Sequence, residues 1–589
     1  METDRKTQIS VIVMIIVFIL FIGKLWQLQV IQYSDYRKLS LENTSRTIPT
    51  IAPRGIIYDR YDNVLVANRA VFSAYLFPGS VNAEDLDEVL LTLSSLLDIP
   101  KWQIVQKINE EKRRPFEPVL VKDNISLNAV TALEEKRYKL PGVVINTRPV
   151  RYYPHGDLAA HVLGFAGKIT ADELKLLRYK GYQLDDIIGK EGVESVYDEY
   201  LRGIDGGKQL EIDVYGRPIR TAGSLDPVPG KDIRLTIDLE LQKVIENNLV
   251  GKRGCIIVMD PRNGEVLALS SSPSYAPNIF AAPLDPKTWQ RMDKEGHPFL
   301  NRALSTYPPG SIFKVVTLSS TLQENMFDLH DKLTCTGSFE LGNRIAKCWM
   351  PGGHGKLDIL EGLVWSCDVV FYRLGLINGP DLLSKYAKKY GLGTRTGIDL
   401  TGELPGFIPT DAWKRAVYGI PWVKGDSINM GIGQGFIQVT PIQMANVYAV
   451  IANGKRYVPH VLKEVFSREG ETIYSYEIKQ IGEMPISEDN HKMLKGALED
   501  VIKRGTGIAA KVDGIPAAGK TGTAENPRRP HAWFICYAPT SEAQLVVASF
   551  IEEGEHGDRV TAYIARDVLT WYNNNRINQT GSVTKETSS

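Results

Sequence analysis

Lys520-Thr521-Gly522-Thr523 is the stretch that decides this chain. Threonines around a glycine read as a strand at a sheet edge, and Gly522 would let a peptide lie close against the backbone. Upstream, in order, stand Ser311-Ile312-Phe313-Lys314 and Ser366-Cys367-Asp368. Any one of the three is common by chance. Together, in this order, they are the parts list of a serine acyl-transfer site.

Tyr307-Pro308-Pro309-Gly310 precedes Ser311, and an apolar run follows. That punctuation predicts a helix start at Ser311, with Lys314 one turn on and on the same face. A serine hydroxyl needs a base before it attacks. Lys314 can serve if burial among Phe313, Val315 and Val316 lowers its pKa. Ser366 can relay a proton between the lysine and a leaving amine, and Asp368 can hold Lys314 by charge and hydrogen bonding. Lys520, with Thr521 or Thr523, could bind a carboxylate. The backbone N–H groups of Thr523 and Ser311 could form an oxyanion hole. Each element also has a purely structural reading: a capping serine at 311 or 366, a solvated lysine, an exposed basic strand.

The 589 residues allow two to four domains. A composition 43% hydrophobic and 23% charged is that of a folded protein. A net charge of zero gives no basic face for nucleic acid. Ile9 to Ile22 is apolar except for Ser10, and Lys24, Trp26 and Val30 follow. With Lys24 snorkelling and Trp26 at an interface, about 20 residues can span a bilayer. Arg5 and Lys6 precede the run, and no small-x-small cleavage site follows before Gln32. The expectation is a cytoplasmic tail at 1–8 and an uncleaved, single-pass anchor at 9–30 in the cytoplasmic (inner) membrane. The rest of the chain then lies on the periplasmic or extracellular side.

Beyond the anchor, Arg54 to Asp59 and Asn63 to Ala67 read as two strands joined by a turn. Leu86, Val89, Leu90, Leu93 and Leu97 take helical spacing. Residues 83–140 are therefore expected as a helical insertion in a strand-rich pedestal at 31–230, closed by a Pro/Gly-rich linker from Asp226 to Gly230. From 231 to 575 the expectation is an α+β domain. It opens with a hairpin, Cys255 to Met259 and Val266 to Leu269. It continues in mostly helical sequence to about 505 and ends in a meander near Ala518–Ala524, Trp533–Tyr537 and Leu545–Ile551. The polar tail at 576–589 is expected to be disordered.

On Arg54-Gly55-x-Ile57-x-Asp59-Arg60, Gly189-Lys190-x-Gly192-x-Glu194, Leu235-Thr236-Ile237-Asp238, the three motifs above and Gly431-Ile432-Gly433-Gln434-Gly435, the chain resembles the class B penicillin-binding proteins. It looks most like their penicillin-binding protein 2, cell-elongation branch, where aspartate is common at the position of Asp368. The resemblance implies an antiparallel sheet flanked by helices on a non-catalytic, dimerisation-type pedestal. It implies a D,D-transpeptidase: Ser311 attacks the penultimate D-Ala carbonyl of a donor stem peptide, and an amine of a neighbouring stem peptide takes the acyl group. It also implies covalent trapping by β-lactams, and partnership with a rod-shape (SEDS) glycosyltransferase and other elongation-complex proteins. The rival readings are a β-lactamase or D,D-carboxypeptidase, a non-catalytic penicillin sensor or scaffold, and a division-type (septal) transpeptidase.

Cys335, Cys348, His354 and Cys367 add four candidate zinc ligands between two motifs, with gaps of 12, 5 and 12 residues. Cys367 lies inside the Ser366–Asp368 motif, so a structural zinc would brace that motif from behind. A Cys335–Cys348 disulfide and buried free thiols are the alternatives. Some elongation-type relatives look able to bind zinc at the positions of Cys348, His354 and Cys367. The acyl-transfer chemistry itself requires no cofactor.

Overall fold

The computed structural model describes residues 2–33, 36, 45–110, 118–183, 186–212, 218–281, 290, 292, 294 and 296–578. The polar tail expected from 576 lies outside them from 579 onward. The chain divides into two compact units that interleave along the sequence.

The first unit takes residues up to Arg54, Asn68–Val150 and Gly203–Gly230. It begins with the helix Glu2–Trp26, prolonged by a π-helical turn at Gln27–Ile31. Within Gln8–Ile31 an 18-residue window has a mean hydropathy of 2.7, and none of that window is buried by protein. Strands Ser45–Thr50, Gly206–Ile212 and Pro218–Leu225 form an antiparallel sheet with Gly206–Ile212 in the middle. The insertion holds helices Leu86–Leu97, Lys101–Glu110 and Leu127–Glu135. Ser126 caps the last, its side chain accepting from Ala129 N at 3.3 Å. The insertion is not wholly helical. Val119–Ile125 is a strand that pairs antiparallel with the Phe72–Leu76 end of a longer strand. The alternation of buried Val119, Val121 and Ile125 drives it. Val121 packs with Leu90, Leu93, Leu97 and Leu133 in one small core.

The second unit takes Gly55–Ala67, Arg151–Arg202 and everything from Lys231. This differs from a clean division at residue 230, and hydrogen bonding is the reason. Ile57–Tyr58 pairs in parallel with Asp232–Leu235, and Ile56 N donates to Asp232 Oδ1 at 2.6 Å. Gly55 N donates to Leu201 O at 2.8 Å.

A five-stranded antiparallel sheet organises this unit, in the order Val266–Ser272, Gly254–Met259, Leu545–Ile551, His531–Ala538, Ala518–Ala524. Along Gly254–Met259 every residue is buried, because helices cover both faces. Ile256 and Val258 pack against Leu241 and Ile245 of the helix Leu239–Leu249 and Val568 and Leu569 of Thr561–Tyr572. Cys255, Ile257 and Met259 face the larger core, which includes Val315, Phe371 and Tyr448. A strand buried on both sides loses alternation and reads as an unbroken apolar run. The stretch expected to be mostly helical to 505 carries strands as well. Leu462–Phe466 joins Asp232–Leu235, and Lys455–Tyr457 pairs with Gln480–Glu483. Ser338–Leu341 and Arg344–Lys347 form a hairpin.

Candidate active site

Gly310–Phe313 forms a single 3₁₀ turn that runs directly into the helix Lys314–Gln323. Gly310 sits at φ +56°, and a Cβ there would lie 2.5 Å from Thr523 O. Only glycine brings the turn this close to the Lys520–Thr523 strand. Gly310 N donates to Gly433 O at 2.9 Å, and Gln434 Nε2 donates to Thr523 O at 3.3 Å. The Gly431–Gly435 motif thus ties the serine turn to the edge strand, a role its spacing does not reveal. Gly522 differs from expectation in what it accommodates. Its missing Cβ would stand 2.9 Å from Ile312 Cγ2 and 3.0 Å from Trp533 Cβ, so the close approach is to the serine turn rather than to open cleft.

Lys314 is fully buried. Its Nζ donates to Ser366 O at 2.9 Å, Ser366 Oγ at 3.3 Å and Asp368 Oδ1 at 2.8 Å, over the Phe371 ring at 5.2 Å. Ser366 reaches this position with φ +52°, a left-handed conformation between the helices Ile359–Val364 and Asp368–Lys389. Cys367, not Ser366, is the N-cap residue of the second helix. Burying an amine costs free energy unless its donors are hydrogen-bonded, and these three acceptors offset that cost.

Lys520 is also fully buried. Its Nζ donates to Thr521 O at 3.0 Å, while Thr521 Oγ1 shares a 2.8 Å hydrogen bond with Thr506. Desolvation, then the positive charge of Lys314, pushes the Lys520 pKa well below its usual value, with Asp368 opposing. The structure therefore gathers Lys314, Ser366, Asp368 and Lys520 into one electrostatic neighbourhood beside the Ser311 turn, with Thr521–Thr523 on its bordering strand.

Sequence reasoning missed Trp349. Its backbone N–H donates to Asp368 Oδ2 at 3.0 Å and its indole Nε1 to Trp365 O at 3.1 Å. One loop residue clamps both ends of the Ser366–Asp368 motif. No spacing rule flags a backbone donor.

A family described as the penicillin binding protein transpeptidase domain matches residues 254–570, and its dimerisation domain matches residues 49–235. The chain belongs to the penicillin-binding protein family. Peptidoglycan D,D-transpeptidase MrdA of Acinetobacter baumannii is 34% identical over 567 residues, covering 92% of this chain and 84% of that one. A complex between penicillin-binding protein PBP2 and MreC from Helicobacter pylori superposes with TM-score 0.79 at 28% identity. It covers 90% of this chain and 99% of that one. A peptidoglycan synthase complex that coordinates polymerization and crosslinking gives TM-score 0.72 at 29% identity, covering 97% and 99%.

The motifs of this penicillin-binding protein outside the catalytic cluster are structural. Asp59, fully buried, accepts from Tyr61 N, Asn63 N, Asn63 Nδ2 and Leu239 N. Glu194 pairs with Arg151 at 2.5 Å, and Arg151 also donates to Gly55 O at 2.6 Å. Asp238 caps the helix Leu239–Leu249 and pairs with Arg576 at 2.7 Å.

Behind the Ser366–Asp368 motif, the ligand atoms of Cys335, Cys348, His354 and Cys367 lie within 4.8 Å of one another. Cys335 Sγ and Cys348 Sγ stand 3.7 and 3.6 Å from His354 Nδ1. All five cysteines are buried and unbridged, so Cys335 and Cys348 are not joined. A hydrogen bond from the Cys367 thiol pushes Cys348 down to about 5 and raises its donor.

Proposed function

We propose that this chain is an elongation-type peptidoglycan D,D-transpeptidase working through a Ser311 acyl-enzyme. The observation that carries the residue assignment is the Lys314 amine held between Ser366 and Asp368, one turn from Ser311. Ser311 Oγ attacks the penultimate D-Ala carbonyl and gives up its proton into the Lys314–Ser366 pair. The pair returns a proton to the departing D-Ala amine. A stem-peptide amine then attacks the ester, loses a proton by the same route, and restores the Ser311 hydroxyl as the new amide forms. Lys520 and the Thr521–Thr523 strand hold the donor's terminal carboxylate. Backbone N–H groups of Ser311 and Thr523 face the developing oxyanion. A fluorescent penicillin should label the chain covalently and one-to-one, and Ser311→Ala should abolish labelling. Stoichiometric labelling of that variant would sink the assignment, and fast release of the adduct would point to a hydrolase.

Zinc at Cys335, Cys348, His354 and Cys367 is the second part of the reading. A tetrahedral ion with about 2.3 Å zinc–sulfur and 2.0–2.1 Å zinc–nitrogen bonds sets each sulfur about 3.6 Å from the nitrogen. The two sulfur–nitrogen separations seen here, 3.6 and 3.7 Å, suit that edge. Four protein ligands would close the site, so the ion would be structural and take no part in acyl transfer. Holding Cys348 and Cys367 together, it would brace Trp349 and, through it, Asp368.

The exposed apolar helix supports a single-pass anchor, and Arg5 and Lys6 ahead of it favour a cytoplasmic N-terminus with the catalytic unit on the other side. The relatives solved with MreC and in a peptidoglycan synthase complex that coordinates polymerization and crosslinking support partners in the elongation machinery, and the family resemblance points to a rod-shape (SEDS) glycosyltransferase among them.

A further inference from the structure

The hairpin Ser338–Leu341/Arg344–Lys347 belongs to none of the motifs above, yet it is fastened to the active site. Cys348 N donates to Gly337 O at 2.9 Å, and Tyr372 Oη donates to Lys347 O at 2.9 Å, four positions from Asp368 along its helix. Arg344 stands at the hairpin's turn, exposed to solvent. Its guanidinium nevertheless lies against the helix Lys424–Gly431. Nη2 donates to Asn429 Oδ1 at 3.4 Å, and a Cβ at Gly425 would meet Nη1 at 3.4 Å. No ion pair among the described residues uses Arg344, whose side-chain partner is the Asn429 amide.

Asn429 also lines a small cavity of about 100 Å³, together with Trp422, Asp426, Gln434 and Phe436. The one carboxylate in that lining, Asp426, is already neutralised by Lys414. Gln434 connects the cavity to the catalytic strand, since its Nε2 donates to Thr523 O at 3.3 Å. Burial, then Asp368, Cys348 and Glu525, raises the Tyr372 phenol, and Arg344 lowers it. The guanidinium is thus within electrostatic reach of the Asp368 surroundings.

A guanidinium without an ion-pair partner, beside a side-chain amide and at the rim of a cavity next to the serine turn, suits a planar anion. The donor's terminal carboxylate goes to the Lys520 strand in the reading above, so Arg344 is left for a different one. We propose that Arg344 and Asn429 form a subsite for a carboxylate borne by the donor stem peptide upstream of its D-Ala–D-Ala bond. The subsite sets specificity for acidic over amidated stem peptides. It rests on Ser311 being the nucleophile.

The test uses the full-length protein in detergent and donor peptides whose terminal D-Ala is replaced by a thioester-linked D-2-mercapto acid, so that the released thiol reports turnover. Three donors are compared: one with both upstream carboxylates free, one amidated at the second residue, one amidated at the third. Wild type should prefer the free acid by about tenfold in kcat/KM over one of the amidated donors, which identifies the carboxylate read. Arg344→Gln should bring that ratio close to one, and Arg344→Lys should retain part of it. Because the ratio is taken within one sample, partial unfolding of a variant does not alter it. A wild type indifferent to amidation, or an Arg344→Gln variant that keeps the full preference, overturns the subsite alone. Turnover that survives Ser311→Ala overturns the nucleophile and the subsite with it.

Discussion

Two fully buried lysines, Lys314 and Lys520, share one electrostatic neighbourhood but differ in their partners. Lys314 has three oxygen acceptors, whereas Lys520 has its own threonine and feels Lys314 as a like charge. Away from the site, Glu246 shows how a single titratable group sets stability. Its carboxylate accepts from Ala159 N at 2.7 Å and Gln242 Nε2 at 2.8 Å, but burial outweighs these bonds and raises its pKa to about 7. The folded state then keeps the proton to higher pH than the unfolded state, whose carboxyl titrates near 4.5. Stability is therefore lost as pH rises from about 4.5 to about 7, by on the order of 1–3 kcal/mol. Glu246→Gln keeps the oxygen acceptor and cannot ionise. It should match wild type near pH 4.5 and melt a few degrees higher at pH 8. Identical pH trends in the two proteins would refute the assignment.

At the scale of elements, the loop from Cys348 to His354 joins the cysteine cluster to the catalytic motif through Trp349. Purified without chelator, the protein should carry about one zinc per chain. His354→Ala should lower the melting temperature and slow penicillin acylation, because an ion bound only by the folded loop stabilises it and keeps Asp368 in register. Cys536→Ser, in a different core, should do neither. A non-reduced peptide joining Cys335 to Cys348 would replace the metal with a disulfide. The cluster was legible in the sequence because four ligand-type side chains fall between two motifs. So were the hairpin, the final meander and the three catalytic motifs, since their patterns are local. The strand Val119–Ile125 was not legible, because it takes its partner from far away, and Leu462–Phe466 was missed although it pairs with nearby Thr472–Ser475 as well as with distant Asp232–Leu235. The reach of Gly522 was misjudged for a related reason. A glycine advertises close approach but not which neighbour makes it. Trp349 and Arg344 were invisible, because a backbone N–H and a bent-over guanidinium leave no periodic trace.

At the scale of the whole molecule, the exposed apolar helix predicts that the full chain stays with membranes through a high-salt wash. A shortened chain starting at Tyr33 should be soluble and still take penicillin. Release of the full chain with a new N-terminus would mean that the helix is a leader rather than an anchor. The insertion at 83–140 has its own small core. Its deletion should leave acylation nearly intact while weakening stimulation of a co-purified rod-shape glycosyltransferase. Unchanged stimulation would locate the contact elsewhere. The interleaved order of strands has a cost in time. Gly254–Met259 lies between Val266–Ser272, which follows at once, and Leu545–Ile551, which is made near the end of the domain. At about 5–20 residues per second, the ribosome leaves that apolar edge without its second neighbour for on the order of tens of seconds. An early hairpin waiting so long for its partner is a template for aggregation until its last strand emerges.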